Sequence, residues 1–288
     1  MKEIVQFVKA HHEVRRLFIP VSRRIPSHRV LVWLLGKNQR NFDPDEVGRE
    51  LAPFLPEKRP SRQTLEEYRT QEWYFHNPKQ IHANRHGTGH HGRDLVLAGL
   101  DMGKLEESEG IRVNEDVVYR ATSVHDTQRE DDIELLRGQV SHAERGAQFV
   151  RDSWRHFDPE MTQETLEGIC YLVGRHSDRR EPRESPWKNE MGVMLRADWL
   201  DLTRGMGFEI EVGQNEVAER LLEISERASG RVAAELARHH VKPYPWALDL
   251  VSAARALSIE SRRDRYAYQK DQFGASLNAA ERLGLLVP

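Results

Sequence analysis

The chain has 288 residues, with 43 Lys/Arg against 46 Asp/Glu and a formal net charge of −3. That length fits one large domain, or a main domain with a smaller appendage. A mean hydropathy of −0.71 and no apolar run near the roughly 20 residues that span a bilayer exclude an integral helical membrane protein. The start, MKEIVQFVKAHHEVRR, carries Glu3 and no small-residue cleavage site, so no signal peptide is expected. A single cysteine, Cys170, excludes an internal disulfide and any cysteine-rich zinc module. The expectation is a soluble cytoplasmic protein, and its compositional outlier is 14 histidines.

Apolar residues recur mostly at three- and four-residue steps, and no run of strict alternation stands out, so the chain reads as all-α. A first helix runs to about residue 18 and breaks at Pro20 and Pro26; a short apolar helix follows from Val30 to Leu35. A proline-studded connector, Pro53 to Pro60, leads to a helix near Gln63 to Tyr74. Helical patterns then cover about 89–103, 114–126, 141–155, 162–176, 187–205, 214–240, 246–262 and 263–284. Ser141 with Glu144 three residues later forms a capping box, which marks a helix N-terminus. Cys170, Met191, Met194 and Leu195 read as core. The run Trp73-Tyr74-Phe75 reads as packing between segments rather than as a platform for bases.

Charge is uneven. Residues 1–40 hold nine Lys/Arg and two acids, an excess of seven positive charges, which leaves the rest of the chain acidic. A solvated helical face explains such a run, and contact with nucleic acid is the alternative.

Histidines and aspartates fall at the ends of successive predicted helices. The first cluster holds His82, His86, His90, His91 and Arg93. His125-Asp126 ends a helix whose apolar face is Val117, Val118, Ala121 and Val124; His142, His176, Asp198 and Asp201 follow. An apolar segment that runs into adjacent His and Asp implies a part-buried polar pair, which is costly unless a metal or hydrogen bonds satisfy it. His86 reads as a turn or supporting residue, since Gly87 and Gly89 break the helix around it. His11, His12, His82, His239 and His240 read as exposed.

This ordered set resembles the HD-domain superfamily of metal-dependent phosphohydrolases over about residues 80–210. HGTGHHGRDLVLAG (86–99) looks like the first-histidine helix in its HG-x-x-H-x-x-R form. SVHDTQREDD (123–132) looks like the His-Asp motif with its following arginine. SHAERGAQ (141–148) is similar to a further histidine helix start, and LRADWLDLTR (195–204) to the closing aspartate motif. Asp94 stands where a valine is more usual, and Ile133-Glu134 replace the usual small residue after the paired acids. The resemblance implies an HD-domain helical bundle with its core at 76–212; outside it, the charge and helical patterns give a basic N-terminal helical extension at 1–75 and C-terminal helices at 213–288, expected to pack on the core.

The resemblance also implies the metal ligands His90, His125, Asp126 and Asp198. Two imidazoles and two carboxylates suit Mn, Mg, Fe, Ni, Co or Zn. Arg93 and Arg129 are placed to bind substrate oxygens or orient ligand carboxylates. Asp201, at i+3 from Asp198, is placed to hold a ligand histidine or to pair with Arg204. His142 and His176 either bind substrate phosphate or act as acid/base groups beside one ion, or hold a second ion bridged by Asp126. One ion is the favoured expectation, because no adjacent His-His pair follows His142. The implied activity is hydrolysis of phosphate esters of nucleotides or nucleic acid, by a nucleotidase or a nuclease/phosphodiesterase. The alternatives are a signalling-nucleotide hydrolase, acting on a guanosine polyphosphate or cyclic dinucleotide, and a catalytically silent nucleic-acid-binding module. No membrane partner is expected, and the C-terminal helices are candidates for an oligomer contact.

Overall fold

The computed structural model describes residues 34, 41–83, 86–130, 141–177, 185–203, 246 and 249–288. Its regular elements are helical; among the described residues the one extended feature is an isolated parallel bridge between Ser61 and Val287. In chain order the α-helices are α1 (Pro44–Leu51), α2 (Arg62–Glu67), α3 (Thr88–Glu109), α4 (Glu115–Val124), α5 (His142–Phe157), α6 (Gln163–Arg175), α7 (Lys188–Thr203), α8 (Asp249–Ser261), α9 (Arg265–Lys270) and α10 (Gln272–Arg282). The expected helices before residue 34, at 214–240 and in the basic segment lie outside the described residues, as do His11, His12, His239, His240 and Arg204.

Local chemistry starts the helices. Asn114, Ser141 and Thr162 each accept a hydrogen bond from the backbone N–H three residues on, at 3.2, 3.2 and 3.1 Å, which starts α4, α5 and α6. Helix α1 was not legible as apolar periodicity. It is started by the Asp43 carboxylate, which accepts from the Asp45 and Glu46 N–H groups, with Pro44 in its first turn. The pattern at 263–284 resolves into α9 and α10, because Asp271 breaks to extended backbone and its carboxylate accepts from Gly274 N at 2.9 Å.

Helix α3 is the axis of the molecule. It is buried along most of its length and packs against α4, α7, α8 and α10. Gly99 permits this closeness, since a Cβ there would stand 2.5 Å from Pro60 and 2.7 Å from the Tyr119 hydroxyl. Gly110, at φ 67°, ends the helix in the left-handed conformation. One apolar cluster joins α1, α2, α3, α8 and α10 through residues such as Leu51, Leu65, Leu97, Leu257, Phe273 and Leu277. A second joins α4, α5, α6 and α7 through Val117, Val124, Val150, Ile169, Cys170, Met191, Met194 and Leu195. Tyr74 and Phe75 are buried; Trp73 is half exposed, with its ring edge-on to Tyr74, Phe149 and His156.

No described helix is long and apolar enough to cross a membrane.

Candidate metal centre

The N-terminal ends of α3 and α5 meet the C-terminal ends of α4 and α6, and α7 closes one side. This junction follows from the sequence positions of the side chains that gather there. His90 is in the first turn of α3, His125 caps the end of α4, His142 opens α5, His176 caps the end of α6, and Asp198 is inside α7. His90, His125, Asp126, His142 and His176 are buried, and the Asp198 side chain is 14% exposed.

The Nε2 atoms of His90 and His125 point to a common centre. His90 Nε2 is 3.1 Å from Asp94 Oδ2, 3.4 Å from Asp198 Oδ1 and 3.7 Å from Asp126 Oδ2. His125 Nε2 is 3.9, 3.9 and 3.7 Å from the same three oxygens. Two ligands on one cation with bonds of about 2.1 Å lie about 3.0 Å apart at a right angle and about 4.2 Å apart when opposed. All six distances fall in that window. One ligand atom each from His90, Asp94, His125 and Asp198 lies within 4.8 Å of every other.

The imidazoles are held in the tautomer a cation needs. A backbone carbonyl only accepts, so Nδ1 of His125 donates to Thr122 O at 2.9 Å and Nδ1 of His176 to Val173 O at 2.7 Å. Nδ1 of His90 donates to Asp201 Oδ2 at 2.6 Å. Each Nε2 lone pair then faces inward. His125 Nε2 and Asp198 Oδ1 are buried and make no hydrogen bond. Donors of this type, aimed at one point, fit a divalent cation.

Asp126 faces two ways. Its Oδ2 lies 2.6 Å from His86 Nδ1, and its Oδ1 accepts from Arg129 Nε at 2.8 Å. Oδ1 is also 3.2 Å from His142 Nε2 and 3.3 Å from His176 Nε2, and those two nitrogens are 3.0 Å apart. Burial works to raise the Asp126 carboxyl, but Arg129, His86, His125 and a hydrogen bond from His142 outweigh it and hold it well below the usual carboxylate range. Burial pushes His176 down to about 4, against the opposing pull of Asp126. For His125, burial lowers the imidazole, while Asp126 and Asp198 outweigh that effect and raise it. Ser177 Oγ sits 3.1 Å from His142 Nε2.

Every expected site residue within the described regions is accounted for. His90, His125 and Asp198 group with Asp94, while Asp126 stands 3.7 Å from both the His90 and His125 Nε2 atoms and groups with His142 and His176. Arg129 binds Asp126. Arg93 is fully buried and directs Nε and Nη2 at Asp201, at 2.7 and 3.3 Å, so it orients a supporting carboxylate. Asp201 carries that contact on to His90. The neighbour His91 turns away: its Nδ1 donates to Thr122 O at 3.0 Å, and burial, aided by the nearby His125, pushes it down to about 3. His82 is exposed.

Asp94 belongs to the site beyond the expected set, and His86 takes the supporting half of its expected reading. Asp94 was legible only as a departure from the motif, although its i+4 spacing from His90 was a usable signal. His86 precedes α3 and reaches Asp126 across 40 residues, which no spacing rule supplies.

No family model, no curated protein and no solved structure matches this chain.

Proposed function

We propose that the protein is a metal-dependent phosphohydrolase acting on phosphate esters of nucleotides or nucleic acid. One observation carries the reading: six imidazole–carboxylate distances between 3.1 and 3.9 Å around one centre suit a single divalent cation. A cation bound there supplies Lewis-acid activation of water and of a phosphoryl oxygen. The chain supplies the rest. Asp201, Thr122 and Val173 fix the tautomers of three imidazoles. Arg129, partly open to solvent, places a guanidinium beside Asp126, where a substrate oxyanion would gain charge-assisted hydrogen bonds. Ser177 and His142 offer a hydroxyl and a ring nitrogen within hydrogen-bond distance of each other for orienting water or the leaving group.

A second reading concerns the number of ions. His176 commits its Nδ1 hydrogen to Val173, yet its Nε2 stands 3.3 Å from a carboxylate oxygen. A lone pair facing an anion is unfavourable unless a proton or cation lies between, and Asp126, His142 and His176 form a second group of suitable ligands. Asp126, His142 and His176 would hold a second ion, which favours two ions over the single ion expected from the motif pattern.

The function test is a panel of mononucleotides, cyclic and linear dinucleotides, guanosine polyphosphates and short single strands, each with Mn²⁺. Release of phosphate or mononucleotide from at least one member, abolished in Asp126→Ala, is the expected result. Silence across the panel with the metal bound refutes the proposal. Two equivalents of metal per chain, falling to one in His142→Ala, would support the two-ion reading; one equivalent in both would reject it.

A further inference from the structure

Asp94 occupies the heart of the cluster. It lies one helical turn after His90 on α3, is fully buried, and brings Oδ2 to 3.1 Å from His90 Nε2 and 3.9 Å from His125 Nε2. Its partners in a four-residue grouping of possible ligands are His90, His125 and Asp198. A helix that offers ligands at i and i+4 holds both on one face with little freedom to lose, so the pair is preorganised. Three carboxylates, Asp94, Asp126 and Asp198, therefore crowd two imidazoles. Like charges gathered in a buried space are costly unless cationic groups hold them; Arg129 serves Asp126, and a metal ion would serve the cluster as a whole.

We propose that Asp94 is a direct ligand of the cation bound by His90, His125 and Asp198, and that this added carboxylate tilts the site toward hard, oxygen-preferring cations such as Mn²⁺ and Mg²⁺ and away from Zn²⁺. The inference rests on the preceding reading that the cluster holds a divalent cation. Its chemical basis is ligand hardness: carboxylates suit Mg and Mn, while imidazole suits Zn, Fe and Ni, so exchanging an apolar neighbour for a carboxylate changes the balance without touching the histidines. The rival role for Asp94 is a hydrogen-bond acceptor for His90. A hydrogen bond needs one oxygen, whereas three carboxylate oxygens surround His90 Nε2 at 3.1 to 3.7 Å, and the same Asp94 oxygen is also within ligand spacing of His125.

The test compares the wild-type chain, Asp94→Asn and Asp94→Val after stripping with chelator, each titrated separately with Mn²⁺ and Zn²⁺ by calorimetry. Both variants should lose at least tenfold in Mn²⁺ affinity and clearly less in Zn²⁺ affinity. Thermal unfolding of the stripped proteins provides the control: Asp94→Val should be at least as stable as wild type, because an apolar side chain replaces a buried charge. Weak Mn²⁺ binding would then not reflect misfolding, and the near-isosteric Asp94→Asn decides the matter if the valine variant fails to fold. Mn²⁺ affinities within twofold of wild type in both variants would overturn the inference. So would wild-type affinity in Asp94→Asn with loss only in Asp94→Val, which is the pattern of a hydrogen-bond acceptor. Equal losses for both ions would overturn the selectivity. A wild-type chain that binds neither ion would remove the cation site itself, and this inference with it.

Discussion

Removing the Asp201 carboxylate should uncouple two things that it does at once. Asp201 and Arg93 are both fully buried and share two hydrogen bonds at 2.7 and 3.3 Å, and Oδ2 of Asp201, which takes the longer of them, also accepts from His90 Nδ1 at 2.6 Å. In Asp201→Ala, Arg93 keeps its charge in the interior without this carboxylate. Breaking a buried pair from one side costs about 3–5 kcal/mol, which lowers the unfolding midpoint by roughly 10 °C for a chain of this size. His90 also loses the acceptor that fixes its tautomer, and loss of such a supporting contact weakens metal binding about 10- to 100-fold. The double variant Arg93→Met/Asp201→Leu separates the effects. It removes both charges, so stability should return to within about 1 kcal/mol of wild type, while metal affinity stays low because no acceptor faces His90. Urea unfolding gives the stability, and calorimetric titration with Mn²⁺ gives the affinity. Recovery of wild-type Mn²⁺ affinity by the double variant would show that the Asp201–His90 contact does not act on the metal site. A loss below about 1 kcal/mol in Asp201→Ala would refute the burial argument itself.

Two further outcomes follow from the same physics. His91 is neutral in the fold and pushed down to about 3 from an ordinary 6.5. Below pH 6.5 the unfolded chain takes up a proton that the folded chain refuses, so this contribution is complete above pH 6.5 and is lost as pH falls toward 3, on the order of 5 kcal/mol in all. The pH slope of stability from urea unfolding at pH 4.5, 5.5 and 6.5 should be shallower in His91→Leu by close to one proton; identical slopes would rule this out. In the second case, Arg196 grips Asp101 through three contacts of 2.6 to 3.0 Å inside the protein, beside the Trp246 ring. Arg196→Met should cost about 3–5 kcal/mol, and adding Asp101→Leu should recover most of it; a double variant no more stable than the single one would contradict the pairing.

The helical class, the approximate spans of α3 to α8 and the identities of the converging histidines and aspartates were written in the sequence. Three- and four-residue apolar steps and side-chain caps act within a turn or two of chain, so they are local and can be read from neighbours. Ser141 illustrates this, since its cap depends only on the residue three positions on. Helix α1 was missed although its cap, Asp43, and its first-turn proline, Pro44, are just as local; its eight residues bury only one apolar pair, Val47 and Leu51, too little to stand out as a periodicity.

Tertiary packing decided the rest. The resemblance pointed to His90 of the adjacent pair, but the direction of a ring cannot be read from its position: packing turned His90 to the centre and His91 onto the Thr122 carbonyl. Arg93 stood by spacing either to bind substrate oxygens or to orient a carboxylate, and helix packing chose the second by burying it against Asp201, 108 residues away. The reach of His86 to Asp126 and the twofold use of the Asp126 carboxylate likewise depend on helix ends that meet only after folding. Sequence determines which chemical groups a helix end carries; the angles at which α3, α4, α5, α6 and α7 cross determine which of those groups share a space small enough for one ion.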